Sequence, residues 1–120
     1  MGVTSTRADD VAAAQLAAGI AGYALGVATG EILESGRGPA AAAFARQIAM
    51  YLCHVGGELS LARVALAFDR DRSTVAHACH AVEDRREEPQ FDLWLGTLEA
   101  LMREAPMARR RPPRLDRGNV

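Results

Sequence analysis

The sequence predicts an all-α fold, and three observations carry that prediction. Alanine supplies about a fifth of the 120 residues, and Ala is the strongest helix former and a poor strand former. Aromatic residues make up only 5%, so the helices must pack closely over small side chains. Large apolar residues recur at three-to-four spacing between the Gly and Pro breaks, which is the period of one helix face. A chain of this length holds one domain with one modest core.

Residues 1–8 read as a disordered N-terminus, 9–105 as the folded domain and 106–120 as an Arg/Pro-rich flexible tail. Asp9 or Asp10 caps a helix from about Val11 to Leu25, because an Asp side chain accepts from the free N–H groups of a first turn. Leu16, Ile20, Tyr23 and Val27 form its apolar stripe. Gly26 to Thr29 breaks it. Glu31 to Glu34 reads as a short helix, stopped by the breaker cluster Ser35-Gly36-Arg37-Gly38-Pro39. Pro39 opens the next helix, Ala40 to His54, whose stripe is Phe44, Ile48, Tyr51 and Leu52. Gly56-Gly57 ends it. Ser60 caps a short helix over Leu61 to Ala67, Asp69-Arg70-Asp71 makes a turn, and Arg72 to Asp84 forms a longer helix with Val75, Ala78, Cys79 and Val82 inward. Glu87 to Gln90 is a linker. The last helix, Phe91 to Arg103, turns Phe91, Trp94, Leu95, Leu98, Leu101 and Met102 inward, and Pro106 ends it. No internal repeat is present.

The formal net charge of −1 does not point to nucleic acid, but the kind of charge is informative. All 14 basic residues are Arg and none is Lys. Either biased codon use or function explains this, since the bidentate Arg fork suits phosphate and guanine. The stretch Arg103 to Arg117 holds six Arg against Glu104 and Asp116. Arg109-Arg110-Arg111 is either solvated or a supporting phosphate contact. Cys53 and Cys79 sit inside apolar helical patterns, as reduced core residues of a cytoplasmic protein do. Val11 to Thr29 is nearly uncharged, but weakly apolar Ala and Gly dominate it and acids precede it, which argues against a signal peptide or membrane span. His77, Cys79 and His80 fit no zinc spacing, and no metal or other cofactor is expected. No nucleophile–base pair, carboxylate pair or phosphate loop appears, so an enzyme is not expected.

Ser60 to Val82 reads short helix, tight turn, longer helix, which is helix-turn-helix spacing. Such a unit braces its first helix on the DNA backbone and projects polar side chains from the start of its second into the major groove. Asp71, Arg72, Ser73 and Thr74 stand at that start. Arg72 has the donors for guanine, Asp71 the acceptors for cytosine, and Ser73 and Thr74 reach bases or phosphate. The helix N-termini near Ser60 and Asp71 offer N–H groups to phosphate oxygens. His54, at a helix end, either complements the dipole or touches phosphate.

The blocks Arg46-Gln47-Ile48-Ala49-Met50-Tyr51-Leu52, Ser60-Leu61, Ala67-Phe68 and Arg70-Asp71-Arg72-Ser73-Thr74-Val75-Ala76-His77-Ala78-Cys79 resemble the C-terminal DNA-binding domain of the bacterial replication initiator DnaA. The resemblance covers about residues 11–104. It implies a compact, Trp-repressor-like helical bundle that binds short boxes on duplex DNA. By position it implies base reading by Asp71, Arg72 and Ser73. It also implies phosphate or minor-groove contacts by Arg37, Arg46, Ser60, Leu61, Ala62, Arg63, Arg70 and Thr74. Three departures stand out: Arg72 replaces a family His, the turn is one residue shorter, and most basic residues near positions 38–44 are Gly, Ala or Phe. There is no Walker A loop. The expectation is a cytoplasmic, nucleoid-associated transcription regulator whose partners are double-stranded DNA and RNA polymerase or another regulator, with phage-like and gene-transfer-agent activators among the short proteins it resembles. The alternatives are a replication modulator that competes for initiator boxes, or an interaction protein that docks a partner through its first helix.

Overall fold

The computed structural model describes residues 7–34 and 38–105. The expectations for residues 1–6, for Arg37 and for the tail from residue 106 fall outside the described residues. Within them, the fold is all-α: α1 (Arg7–Leu25), α2 (Thr29–Leu33), α3 (Ala40–Tyr51), a π-helical turn (Leu52–Gly56), α4 (Leu61–Phe68), α5 (Arg72–Arg85) and α6 (Pro89–Glu104).

Helix α1 starts ahead of Asp9 and Asp10, which therefore lie in its first turn rather than before it. Their charges still face the positive end of the helix dipole. The buried stripe of α1 is Ala13, Ala14, Ala17, Ala18, Ala21 and Gly22. These small side chains let α3 and α4 come close. The stripe of larger residues lies to one side of it, so Leu16 and Ile20 are only half-buried. Tyr23, expected inward, is 94% exposed. None of the described helices is long and apolar enough to cross a membrane.

The corner after α1 depends on Gly26, whose φ of +71° is cheap only for a residue without Cβ. Beyond it, the Val27 N–H reaches back to the Gly22 carbonyl at 2.9 Å. Helix α2 begins two residues before the expected Glu31. The Ala28 carbonyl accepts from both Glu31 (3.0 Å) and Ile32 (3.2 Å), which closes the first turn early. Ile32 is fully buried and anchors this short helix.

Helix α3 was expected to run to His54. It instead passes after Tyr51 into the π turn, where the Gly57 N–H bonds the Leu52 carbonyl at 2.9 Å. Gly57 is required here, since a Cβ would stand 2.7 Å from the Cys53 carbonyl oxygen. The His54 Nδ1–H then donates to the Leu59 carbonyl at 2.7 Å, so this ring ties down the following loop. Helix α6 starts at Pro89, whose fixed φ suits a first helical position, so part of the expected linker is helix. Leu101, expected inward, is 51% exposed. The core between the helices is Ile32, Ile48, Leu52, Val64, Val75, Val82, Leu95 and Met102.

A polar network closes the far end of α5. Tyr51 donates to Glu83 at 2.6 Å. Arg86 donates to the Tyr51 hydroxyl (2.9 Å), to buried Glu99 (2.7 Å) and to Asp92. Burial works against the Arg86 charge, yet its bonds to Asp92, Tyr51 and Glu99 more than offset this and raise its pKa. The Arg85 guanidinium lies 4.9 Å from the Phe44 ring centre and 4.3 Å from that of Phe91. Glu83, Arg85 and Arg86 thus tie this helix end to α3 and α6.

Candidate nucleic-acid interface

Helices α4 and α5, joined by the turn Asp69–Asp71, form a helix-turn-helix with α5 as its second helix. Ser60 caps α4 as the sequence indicates, its Oγ accepting the Arg63 N–H at 3.2 Å. The turn is made by Asp69 in the left-handed region (φ 55°, ψ 51°), which Asp tolerates better than most residues. The Arg70 N–H then bonds the Ala65 carbonyl at 2.9 Å and closes the corner.

Helix α5 buries Val75, Ala78, Cys79 and Val82, which directs its opposite face to solvent. Asp71, Arg72, Ser73 and Thr74 are all exposed at its first turn. The Asp71 backbone holds the N-cap position, but the carboxylate makes no capping bond. The first N–H groups of α5 therefore lack a side-chain cap. Ser60 and Ala62 are exposed at the start of α4, with Leu61 half-buried between them.

The arginines divide. Arg63 binds Asp10 at two points, Nε to Oδ2 at 3.0 Å and Nη2 to Oδ1 at 2.7 Å. The Asp10 hydrogen bond is the main reason its pKa is raised. Arg46 was expected at the surface, and this is corrected: it is buried, 7% exposed. Its Nε donates to the Ile32 carbonyl (2.7 Å) and its Nη2 to that of Glu31 (3.0 Å). The physical reason is that the end of α2 presents unpaired carbonyls directly over α3. Burial, then the like charge of Arg70, lowers the Arg46 pKa. Arg70 donates to the Glu34 carbonyl at 2.7 Å and stays half-exposed.

Between α3 and α5 lies a recess of about 170 Å³, with Arg46, Gln47, Arg70, Thr74 and His77 in its wall. Two cations, two hydrogen-bonding side chains and a His around one concavity make a surface suited to an anion. Of these, Arg46, Arg70 and Thr74 were expected to touch phosphate or the minor groove, whereas Gln47 and His77 were given no such contact. The signal for His77 was its position three residues after Thr74 on one helix face. Gln47 gave no comparable signal.

The sequence family described as bacterial dnaA protein helix-turn-helix matches residues 22–82. This chain belongs to that family. The match takes in α2 to α4 and most of α5, the elements that build the DnaA-type unit. A relative, the chromosomal replication initiator protein DnaA of Lachnoclostridium phytofermentans, is 41% identical over 64 residues, which is 52% of this chain and 14% of that protein. A solved crystal structure of a DNA replication initiation factor superposes on 81% of this chain with a TM-score of 0.71 and 30% identity, and 30% of that chain is covered. The chain thus spans under a third of the relatives it matches. The family unit is a DNA-binding helix-turn-helix, and the all-α expectation holds with it.

Proposed function

We propose that this protein binds double-stranded DNA in a sequence-specific way and acts as a transcription regulator. The observation that carries the reading is the exposed row Asp71-Arg72-Ser73 at the start of α5, on a helix whose other face is locked into the core. Arg72 donates two bonds to one guanine, Asp71 accepts from cytosine, and Ser73 serves either base. Ser60, Leu61, Ala62, Arg70 and Thr74, with the free N–H groups at the starts of α4 and α5, take the phosphates on each side. Arg37 is assigned to the minor groove by the resemblance alone.

Selection of duplexes from a random pool tests the reading directly. Arg72→Ala is expected to weaken the selected duplex far more than a scrambled one and to relax preference at a single base pair, since one bidentate pair carries about 1–3 kcal/mol of discrimination. Equal loss on both duplexes would refute base reading by Arg72. Genome-wide occupancy then separates promoter sites from the initiator boxes expected of a replication modulator.

A second reading rests on the face between α1 and α6. An apolar groove of about 560 Å³ runs between α1 and α6, with Leu16, Ile20, Tyr23, Trp94 and Leu101 in its wall. Contact with RNA polymerase or another regulator is proposed for that face, alongside DNA binding. Substitution of Tyr23 by Asp is expected to abolish regulation at the promoter while leaving DNA affinity unchanged; a fall in DNA affinity would contradict it.

A further inference from the structure

We propose that Arg46 is a positioning residue for DNA recognition: it holds the end of α2, and through α2 and Arg70 it sets the start of α5. This rests on the DNA-binding reading above and deepens it.

The argument is one of connected contacts. The last carbonyls of a helix have no partner within the helix and carry its negative dipole end. At the end of α2, Arg46 takes the Glu31 and Ile32 carbonyls and Arg70 takes the Glu34 carbonyl, so two guanidinium groups from different elements grip one short stretch of backbone. Arg46 comes from α3, which packs against both α2 and α5. Arg70 immediately precedes Asp71 and Arg72, so its side chain pins the turn from which the base-reading side chains emerge. A displaced α2 end would leave Arg70 without its acceptor and the turn free to shift.

The chemistry of Arg46 fits this task. Two carbonyls at different angles need a rigid fork, which Arg has and Lys lacks. A phosphate contact alone needs only a cation at the surface, whereas this guanidinium is buried and donates from two of its nitrogens to the α2 backbone.

The test uses the whole chain, a duplex selected by the wild-type protein and a scrambled duplex of equal length. Arg46→Lys keeps the charge and loses the fork; Arg46→Met loses both. The expected result is that each weakens the selected duplex on the order of tenfold or more, the scale of one lost bidentate base contact. Each should change the scrambled duplex less than about twofold, with the salt dependence on scrambled DNA unchanged. Recovery of wild-type affinity by Arg46→Lys would overturn the proposal. So would equal loss on both duplexes by Arg46→Met with a salt slope reduced by about one, the mark of a direct phosphate contact. Far-UV circular dichroism establishes folding. If Arg46→Met loses helix, Arg70→Met, cut from the half-exposed end of the same chain of contacts, decides by the same selected-to-scrambled ratio. A wild-type protein that selects no sequence would remove the underlying reading, and this proposal with it, which is distinguishable from mutants that alone keep full specificity.

Discussion

Asp10 and Arg63, separated by 53 residues, meet in a two-point ion pair that ties α1 to the first helix of the helix-turn-helix. Asp10 is 13% exposed and Arg63 38%. The pair is therefore partly screened by solvent, and its bidentate geometry places it near the upper end for exposed pairs. Arg63→Ala is expected to lower stability by about 1 kcal/mol, read from urea unfolding. Because the guanidinium is already held, the same change should leave the salt slope of DNA binding unaltered. A reduced slope would assign Arg63 to phosphate instead.

Arg86 faces a harder requirement. Glu99 is only 7% exposed, and its partner Arg86 is 22% exposed. Arg86→Ala would leave a buried carboxylate without its cation, and the expected cost is about 3–5 kcal/mol. Replacing both, with Arg86→Met and Glu99→Leu together, should recover most of that loss. Denaturant midpoints of the two variants check both statements.

Stability should fall in alkali. Burial pushes the Cys53 thiol from 9.0 to about 12 and the Cys79 thiol from 9.0 to about 11. Burial, then the bond to Glu83, raises the Tyr51 hydroxyl from 10.0 to about 12. Each folded value lies above the unfolded one, so the fold favours the protonated form. Their contribution is whole below about pH 9 and is lost as pH rises toward 12. Urea midpoints measured from pH 8 to 11 should decline throughout the upper part of that range. At neutral pH both thiols should react with Ellman's reagent only on unfolding.

Gly57 offers a test of the π turn. In Gly57→Ala the new Cβ would stand 2.7 Å from the Cys53 carbonyl oxygen and 3.3 Å from the Met102 Cε. Backbone cannot yield as a side-chain tip does, so a loss of about 1–3 kcal/mol is expected in thermal or urea unfolding.

What the sequence makes legible depends on how local the signal is. The Ser60 cap, the inward row Val75, Ala78, Cys79 and Val82, and the exposed start of α5 all follow from spacing within one helix, and all appear in the structure. The Tyr51–Glu83–Arg86–Glu99 network joins three elements, and no local pattern encodes it. Arg46 was misplaced for a related reason. Its acceptors are backbone carbonyls 14 and 15 residues away, and any residue type supplies those. Tyr23 and Leu101 were taken inward because size was read as burial, whereas α1 packs through its alanines.

The alanine face of α1 also has a calorimetric consequence. A methyl group removes little apolar surface from water, so α1 is held more by close dispersion contact than by the release of hydration water. The heat capacity gained on unfolding scales with the apolar area newly wetted, typically about 12–15 cal/mol/K per residue. For this domain it should fall below that range, which flattens the stability curve. The protein should then lose little stability on cooling and remain folded well below its temperature of maximum stability, where domains with large aliphatic cores begin to weaken.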